Sequence, residues 1–423
     1  MTTSDGAPRP ATPDKEWRAH AASLASLVPR AVHPAGGFGW LSPTNSLAPE
    51  RGVDTWITCR MTHVAALALL RGDPDTDTAE LRRCLDVGHD ALAAGGLLHD
   101  DRSGGWFTRV ETQGANVVAV EGAKAAYAHA FVVLAGASLT AAGHDGGPRL
   151  LQEALRTFEQ HFWDEQAGMA REQWDRDWTT CEDYRGVNAN MHAVEAMLAA
   201  GEVLGDPSLT ERARRIVGTV VEGFAARADW RLPEHYDSDW NVALDYNRDQ
   251  PADPFRPFGV TIGHVLEWAR LAVNVAAAPG TGEQSRMHLV AAAAALFDAG
   301  VSRGWSVDGA PGFIYTTDFT DEPVVRERLH WVLCEAFATA SALAQVTGDP
   351  RYRAWQEEFW AYASTYLIDT VHGGWVHELT PQNQPSSTIW WGKPDLYHAY
   401  QAMLVPSLPG MVSFAGALSR PEA

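Results

Sequence analysis

Residues 190–225 read NMHAVEAMLAAGEVLGDPSLTERARRIVGTVVEGFA, and this stretch decides the fold. Its first part, Asn190–Leu204, is apolar on almost every side, the pattern of a helix packed all round. From Ser208 to Ala225 the pattern is amphipathic: Glu211, Arg212, Arg214 and Arg215 turn to solvent, Ile216, Val217, Val220 and Phe224 inward. Between the two stands Gly205-Asp206-Pro207. Glycine ends a helix in a left-handed conformation, aspartate caps the next helix, and proline fits its first turn. The stretch reads as helix, tight turn, helix.

The same tripeptide returns at Gly72-Asp73-Pro74 and Gly348-Asp349-Pro350. Each copy stands at the same stage of a longer repeat. Glycine-rich, tryptophan-bearing turns mark it at Gly36-Gly37-Phe38-Gly39-Trp40, Gly104-Gly105-Trp106 and Gly373-Gly374-Trp375. Weaker echoes stand at Gly168-Met169, Trp230-Arg231-Leu232 and Gly312-Phe313. With Trp40, Trp106, Met169, Leu232, Phe313 and Trp375 as marks, the spacing is about 62 to 66 residues, with one gap of about 81. A unit of that length is one supersecondary element that cannot bury its apolar face alone.

Six helical hairpins follow. Their apolar members begin near Ile57, Lys124, Asn190, Val260, Leu329 and Pro394 and suit an inner ring, with the amphipathic members outside. The chain ends soon after the sixth inner helix, and the N-terminal helix Glu16–Val32 supplies its outer partner. The expected fold is an all-α (α/α)6 barrel; an open α-solenoid is the alternative. Residues 1–15 read as a disordered tail, 16–409 as a single barrel domain, and 410–423 as a C-terminal tail.

The 423 residues carry a net charge of −20, with lysine confined to Lys15, Lys124 and Lys393. An acidic chain repels polyanions, which argues against nucleic acid and anionic membranes as partners. The start has no secretory pattern, and the longest apolar run, Leu289–Phe297, falls short of the roughly 20 residues that span a bilayer. Cys59, Cys84, Cys181 and Cys334 are scattered without metal or redox spacing, as expected of reduced thiols in the cytoplasm. The expected partner is a small sugar; the protein is expected to be a monomer or homodimer.

About 23 residues beyond the marks lie His63, His129, His192 and His398; Glu335 is one short of that count, and the longer fourth unit carries His264. A ring of such groups on apolar helices implies a cavity along the barrel axis, since burial without one carries a desolvation cost. Helical spacing sets Arg60 beside His63, Glu267 beside His264, and Asp395 beside His398. Tyr127 and Asn188 stand at nearly the same stage, and Trp56, Trp331, Trp390 and Trp391 suit stacking at the mouth. Facing histidines exchange protons near neutrality, Arg60 steadies an oxyanion, and Glu267 is expected to orient His264. The set suits proton transfer beside a sugar carbonyl.

No His-Glu-x-x-His, phosphate loop or nucleophile elbow is present, so neither metal nor cofactor is expected. A two-carboxylate glycosidase is the rival, drawing on Asp54, Glu182, Asp183, Glu335 or Asp395, but it leaves the histidines without a task. Asp54 reads instead as a helix cap, and Glu182-Asp183 as loop.

Four motifs carry a resemblance. They are Trp56-Ile57-Thr58-Cys59-Arg60-Met61-Thr62-His63, Asn188-x-Asn190-x-His192, Gly263-His264-x-x-Glu267-Trp268 and Lys393-Pro394-Asp395-Leu396-Tyr397-His398. In this order they resemble the N-acylglucosamine 2-epimerase superfamily over essentially the whole domain. The first motif is similar to its aldose–ketose isomerase branch. The resemblance implies a cofactor-free barrel interconverting D-mannose and D-fructose, with D-lyxose and D-xylulose as further substrates. A sulfoquinovose isomerase, with Arg185, Arg256, Lys393 or Gln384 on the sulfonate, or a sugar 2-epimerase are the alternatives. It implies His264 and His398 as the acid/base pair acting through a cis-enediol(ate), His192 as ring opener, Arg60 on the carbonyl-end oxygens and Glu267 behind His264. Tyr127, Asn188, Trp331 and Glu335 would line the sugar, and His63 and His129 are structural. The insert Asp249–Pro257 is expected to shape or cover the pocket.

Overall fold

The computed structural model describes residues 13–73, 76–113 and 116–420. Helices α1 (Pro13–Ala25), α2 (Thr55–Arg71), α3 (Thr78–Leu92), α4 (Ala126–Ala141), α5 (Gly147–Thr157), α6 (Val187–Leu204), α7 (Pro207–Val217), α8 (Ile262–Ala277), α9 (Glu283–Gly304), α10 (His330–Thr347), α11 (Pro350–Tyr362) and α12 (Tyr397–Leu404) alternate between two rings. The even-numbered helices form the inner ring, each packed on the next, and α12 meets α2 to close it. The odd-numbered helices wrap outside, with α1 against α12. This is the expected (α/α)6 barrel. The apolar inner helices are buried on every face; in α4 the buried run extends from Ala128 to Leu139.

The turn chemistry holds where it is described. Gly72, Gly205 and Gly348 end inner helices with φ of 65°, 66° and 71°. Asp206 and Asp349 accept the backbone N–H of Ser208 and Arg351 at the next helix start. Pro74 lies outside the described residues.

The repeat marks are tight turns that follow the outer helices. At the fourth, Asp229 and Trp230 take the positive φ values (55° and 61°) that paired glycines supply elsewhere. Gly105 shows why glycine is needed: at φ +68° a Cβ would stand 2.8 Å from both His129 Nε2 and the Trp178 ring.

Short strands, absent from the sequence reading, join neighbouring units. Val53 pairs with Val110, Lys124 with Trp174, Arg185 with Tyr236, Val260 with Thr317, and Arg328 with Leu379. A bridge from Lys393 to Leu41 joins the sixth unit to the first. Each pairing immediately precedes an inner helix, so the strand seam fixes where all six N-termini stand.

The expected tails are corrected by the structure. Residues 1–12 and 421–423 lie outside the described residues, but α1 already begins at Pro13. At the other end, Phe414–Ser419 forms a thirteenth helix, α13, packed against α2, α4 and α6. Met411, Val412, Phe414 and Ala415 are buried, and Glu202 accepts from Ser413 N–H at 2.8 Å and its hydroxyl at 2.6 Å. An apolar Met-Val-x-Phe-Ala run has a strong reason to close the barrel floor.

Candidate active site

The first two turns of the inner helices surround one cavity. Trp56 and Arg60 come from α2, Tyr127 from α4, Asn188 and His192 from α6, His264 and Glu267 from α8, Trp331 from α10 and His398 from α12. Six helix N-termini thus face one space, a field that favours a developing negative charge.

His264 and His398 both pack on Trp331, with ring centroids 5.2 and 5.6 Å from it. Each ring is held through Nδ1 by a carboxylate. His264 Nδ1 lies 2.7 Å from Glu234 Oε2, and His398 Nδ1 lies 2.8 Å from Glu335 Oε1. Neither Nε2 has a protein hydrogen bond among the described residues. Nδ1–H on a carboxylate fixes the tautomer and leaves the other nitrogen to accept or give a proton. Glu234 stays below the usual range: burial opposes this, but the His264 charge and hydrogen bond outweigh it. Burial and then the Arg60 charge push His398 well below 6.5, so it rests neutral.

Two expected roles are corrected here. Glu267 does not hold His264; it points deeper, where Oε1 lies 3.3 Å from Arg270 Nη2 and Oε2 has no hydrogen-bond partner among the described residues. Burial, then the neighbouring Glu335 charge, raises its pKa well above the usual range. Glu335 does not line the sugar cavity; it stands behind His398, with its other oxygen 2.8 Å from Arg270 Nε.

Asp395, which helical spacing sets beside His398, turns its carboxylate elsewhere. Its carboxylate meets Arg60 Nη1 at 3.0 Å, while Arg60 Nη2 donates to the Tyr127 hydroxyl at 3.0 Å. Arg60 lies over the Phe131 ring at 4.5 Å and the Tyr397 ring at 4.7 Å, so its position is fixed from several sides. His192 packs on Phe131 at 4.5 Å; burial lowers it to about 4. Its Nδ1 is 3.8 Å from Glu195, beyond hydrogen-bond reach.

The histidines of the sequence pattern stand at different depths. His129 turns outward, Nδ1 2.8 Å from Ala125 O and Nε2 accepting the Trp106 N–H at 3.2 Å. His63 lies beneath the cavity, between Ser138 Oγ at 2.7 Å and Gln401 Nε2 at 3.1 Å. Neither lines the cavity.

The Asp249–Pro257 insert does cover the cavity. Phe255 meets Trp56, Tyr127 and Trp390 edge-on with centroids 6.2, 5.6 and 5.4 Å away. Asn188 Nδ2 donates to Phe255 O at 3.3 Å, and Arg256 is tied to Glu182 by bonds of 2.7 and 2.9 Å. Trp391 stands outside, beneath Arg51. Asp54 precedes α2 as expected, but its carboxylate accepts the Trp40 indole N–H at 2.7 Å instead of capping the helix.

Sequence reasoning missed Glu234, Tyr315, His330 and His377. Three of them shared a signal. Two residues after a mark, or three after Met169, stand Thr108, Glu172, Glu234, Tyr315 and His377, whose carbonyls accept the first N–H of α2, α4, α6, α8 and α10. That position brings Tyr315 and His377 to the cavity wall and sets Glu234 behind His264.

Two buried triads, His192/Glu195/Glu267 and Glu267/Glu335/His398, bring donor atoms within 4.8 Å of one another. Arg270 already supplies a positive charge to Glu267 and Glu335.

Residues 36–402 match the N-acylglucosamine 2-epimerase family. The chain belongs to that family. It is 50% identical over 402 residues to a D-mannose isomerase of Thermobifida fusca, covering 95% of this chain and 96% of the relative. A D-mannose isomerase of Pseudomonas cannabina pv. alisalensis is 42% identical over 392 residues, 92% of each chain. A crystal structure of a D-mannose isomerase superposes with a TM-score of 0.84 at 24% identity, covering 94% of this chain and 98% of that one, a likeness of fold. No described helix is long and apolar enough to cross a membrane.

Proposed function

We propose that this family member interconverts D-mannose and D-fructose, and D-lyxose and D-xylulose by the same route. The chain is an enzyme of the aldose–ketose isomerase kind. The observation that carries the reading is the pair His264 and His398, each fixed through Nδ1 on a carboxylate with Nε2 left to the cavity. The near full-length similarity to D-mannose isomerases supports the same sugar.

His192 assists opening of the pyranose, and Arg60 holds the carbonyl-end oxygens. His398, resting neutral, takes the C2 proton. The electron pair forms the C1–C2 double bond of a cis-enediol, and O1 gains a proton. His398 then returns its proton to C1 as O2–H is lost and the C2 carbonyl forms. His264, backed by ionised Glu234, moves the proton between O1 and O2. Atoms and electrons balance without an oxidant. Isomerisation needs a carbon base on one face only, which one imidazole supplies.

A sulfonated sugar fits less well. Arg256 is bound to Glu182, Arg185 donates to the carbonyls of Glu182 and Tyr184, Lys393 holds Asp369, and Gln384 donates to Asn383 O. Arg60, the arginine among the cavity-lining residues, is paired with Asp395.

The test is incubation of chelator-treated protein with mannose in heavy water, with products separated by chromatography. Fructose is expected, with His264→Ala and His398→Ala both losing isomerisation. Full activity in either variant removes that residue from the pair. Glucose as the main product would mark a 2-epimerase, and strong preference for sulfoquinovose would overturn the mannose assignment.

A further inference from the structure

His330 and His377 form a stacked pair in the cavity wall that no step above uses. Their ring centroids are 3.7 Å apart at 24°, and both rings line the cavity beside His398. They come from different units. His330 opens α10, and its backbone N–H donates to His377 O at 3.0 Å.

These rings differ from His264 and His398 in what holds them. His330 Nδ1 faces a backbone carbonyl, His377 O, at 3.4 Å, and no carboxylate bonds either ring among the described residues. A carbonyl partner calls for N–H on Nδ1, so Nε2 of His330 carries the lone pair. That Nε2 is fully buried and has no partner among the described residues. A buried acceptor left open is unfavourable unless an O–H is delivered to it. Both rings are also uncharged: burial lowers His330 to about 4, and burial, then the charges of His330 and Lys393, lowers His377 well below 6.5. Two stacked imidazoles cannot share a positive charge cheaply. A neutral pair suits an uncharged O–H donor and brings no positive charge to an anion.

We infer that the stacked His330–His377 pair is a hydroxyl-recognition site for the sugar, with His330 Nε2 accepting an O–H of the substrate. The inference rests on the proposed sugar isomerase and deepens it, since it makes the enzyme select a neutral polyol. The pair binds and orients; without a carboxylate behind either ring it does not carry the transferred proton.

The experiment compares wild type with His330→Phe, which keeps a stacked ring and loses the acceptor, and His330→Gln, which restores an amide acceptor. Turnover is measured with mannose and its monodeoxy derivatives, and binding of D-mannitol, an open-chain polyol that cannot isomerise, by calorimetry. The expected result is a kcat/KM for mannose lowered roughly 10- to 100-fold in His330→Phe, mostly through KM. One monodeoxy sugar should then be used equally by wild type and variant, with mannitol binding weakened and partly recovered in His330→Gln. Unchanged mannose kinetics and mannitol binding in His330→Phe would overturn the inference, as would an equal loss for every deoxy sugar. His330→Leu, which also removes the acceptor, serves the same comparison if His330→Phe fails to fold. If wild type turns over no mannose, the isomerase reading fails, while the mannitol arm still decides whether the pair binds hydroxyls.

Discussion

Glu234 illustrates how a single residue escapes sequence reading. Helical spacing correctly sets Glu267 on the face of α8 that carries His264, yet the carboxylate that bonds His264 comes from the neighbouring unit. Glu267 lies one turn deeper and finds Arg270 there, while His264 Nδ1 turns toward the strand seam, where Glu234 also accepts the Thr261 N–H at 3.1 Å. Spacing along one helix is blind to groups arriving from another. Glu234→Gln should therefore lower kcat roughly 10²-fold with little change in KM, because the amide cannot stabilise the imidazolium. Steady-state kinetics checks this; a change confined to KM would place Glu234 in binding instead. Arg60, His192, His264 and His398 were legible because they stand on their own inner helices, and the repeat supplied their address.

At the scale of elements, the Gly-Gly-Trp turns are joints between an outer helix and the strand seam. Gly104 and Gly105 both hold positive φ, at 75° and 68°, but only Gly105 has neighbours where a Cβ would stand. Gly104→Ala should cost about 1 kcal/mol, for the left-handed backbone alone. Gly105→Ala should cost about 1 to 3 kcal/mol more, since His129 and Trp178 must move. Denaturant unfolding of the two variants separates these contributions, and equal costs would show the contact to be slack. The C-terminal helix offers a second test. Its short apolar run gave too little periodicity to be read as a helix, yet it seals the floor below Arg270, whose guanidinium lies 5.9 Å from the Phe414 ring. Ending the chain at Pro409 should lower the melting temperature by roughly 5 °C or more, from lost apolar burial. An unchanged melting curve would return this segment to the status of a tail.

For the whole molecule, closing the ring buries histidines that an open solenoid would leave wet. Burial holds His63, His192 and His330 at about 4 and His129 at about 3. His377 and His398 lie well below 6.5 for the same leading reason. Above pH 6.5 neither folded nor unfolded chain binds these protons. Below it the unfolded chain takes them and the folded one refuses, so stability is lost as pH falls from 6.5 toward 4, by about 1.4 kcal/mol per group and pH unit. Three buried carboxyls work the other way: Glu172, raised by burial to about 7, with Glu267 and Glu335, binds protons in the folded state that the unfolded chain has released. Six groups against three leave a net loss, and the lowered Asp395 and Glu234 add to it at lower pH. The melting temperature should fall clearly between pH 6.5 and 4.5; a flat profile would contradict this balance.

Legible in the chain alone were the barrel helices, though not α13, their alternation between buried and amphipathic, the tight turns between them and the count of six units. Each of these is local: periodicity, caps and left-handed glycines act within a few residues, so their pattern survives in one dimension. The repeat also located the helix starts that carry the site. Which carboxylate meets which histidine, which histidines face the cavity, and how the Asp249–Pro257 insert reaches across to Trp56 and Trp390 emerge with the packed fold. Those choices depend on the depth and rotation of each helix about the barrel axis. Both are set by the strand seam between neighbouring units, whose partners lie about 50 or more residues apart in the chain.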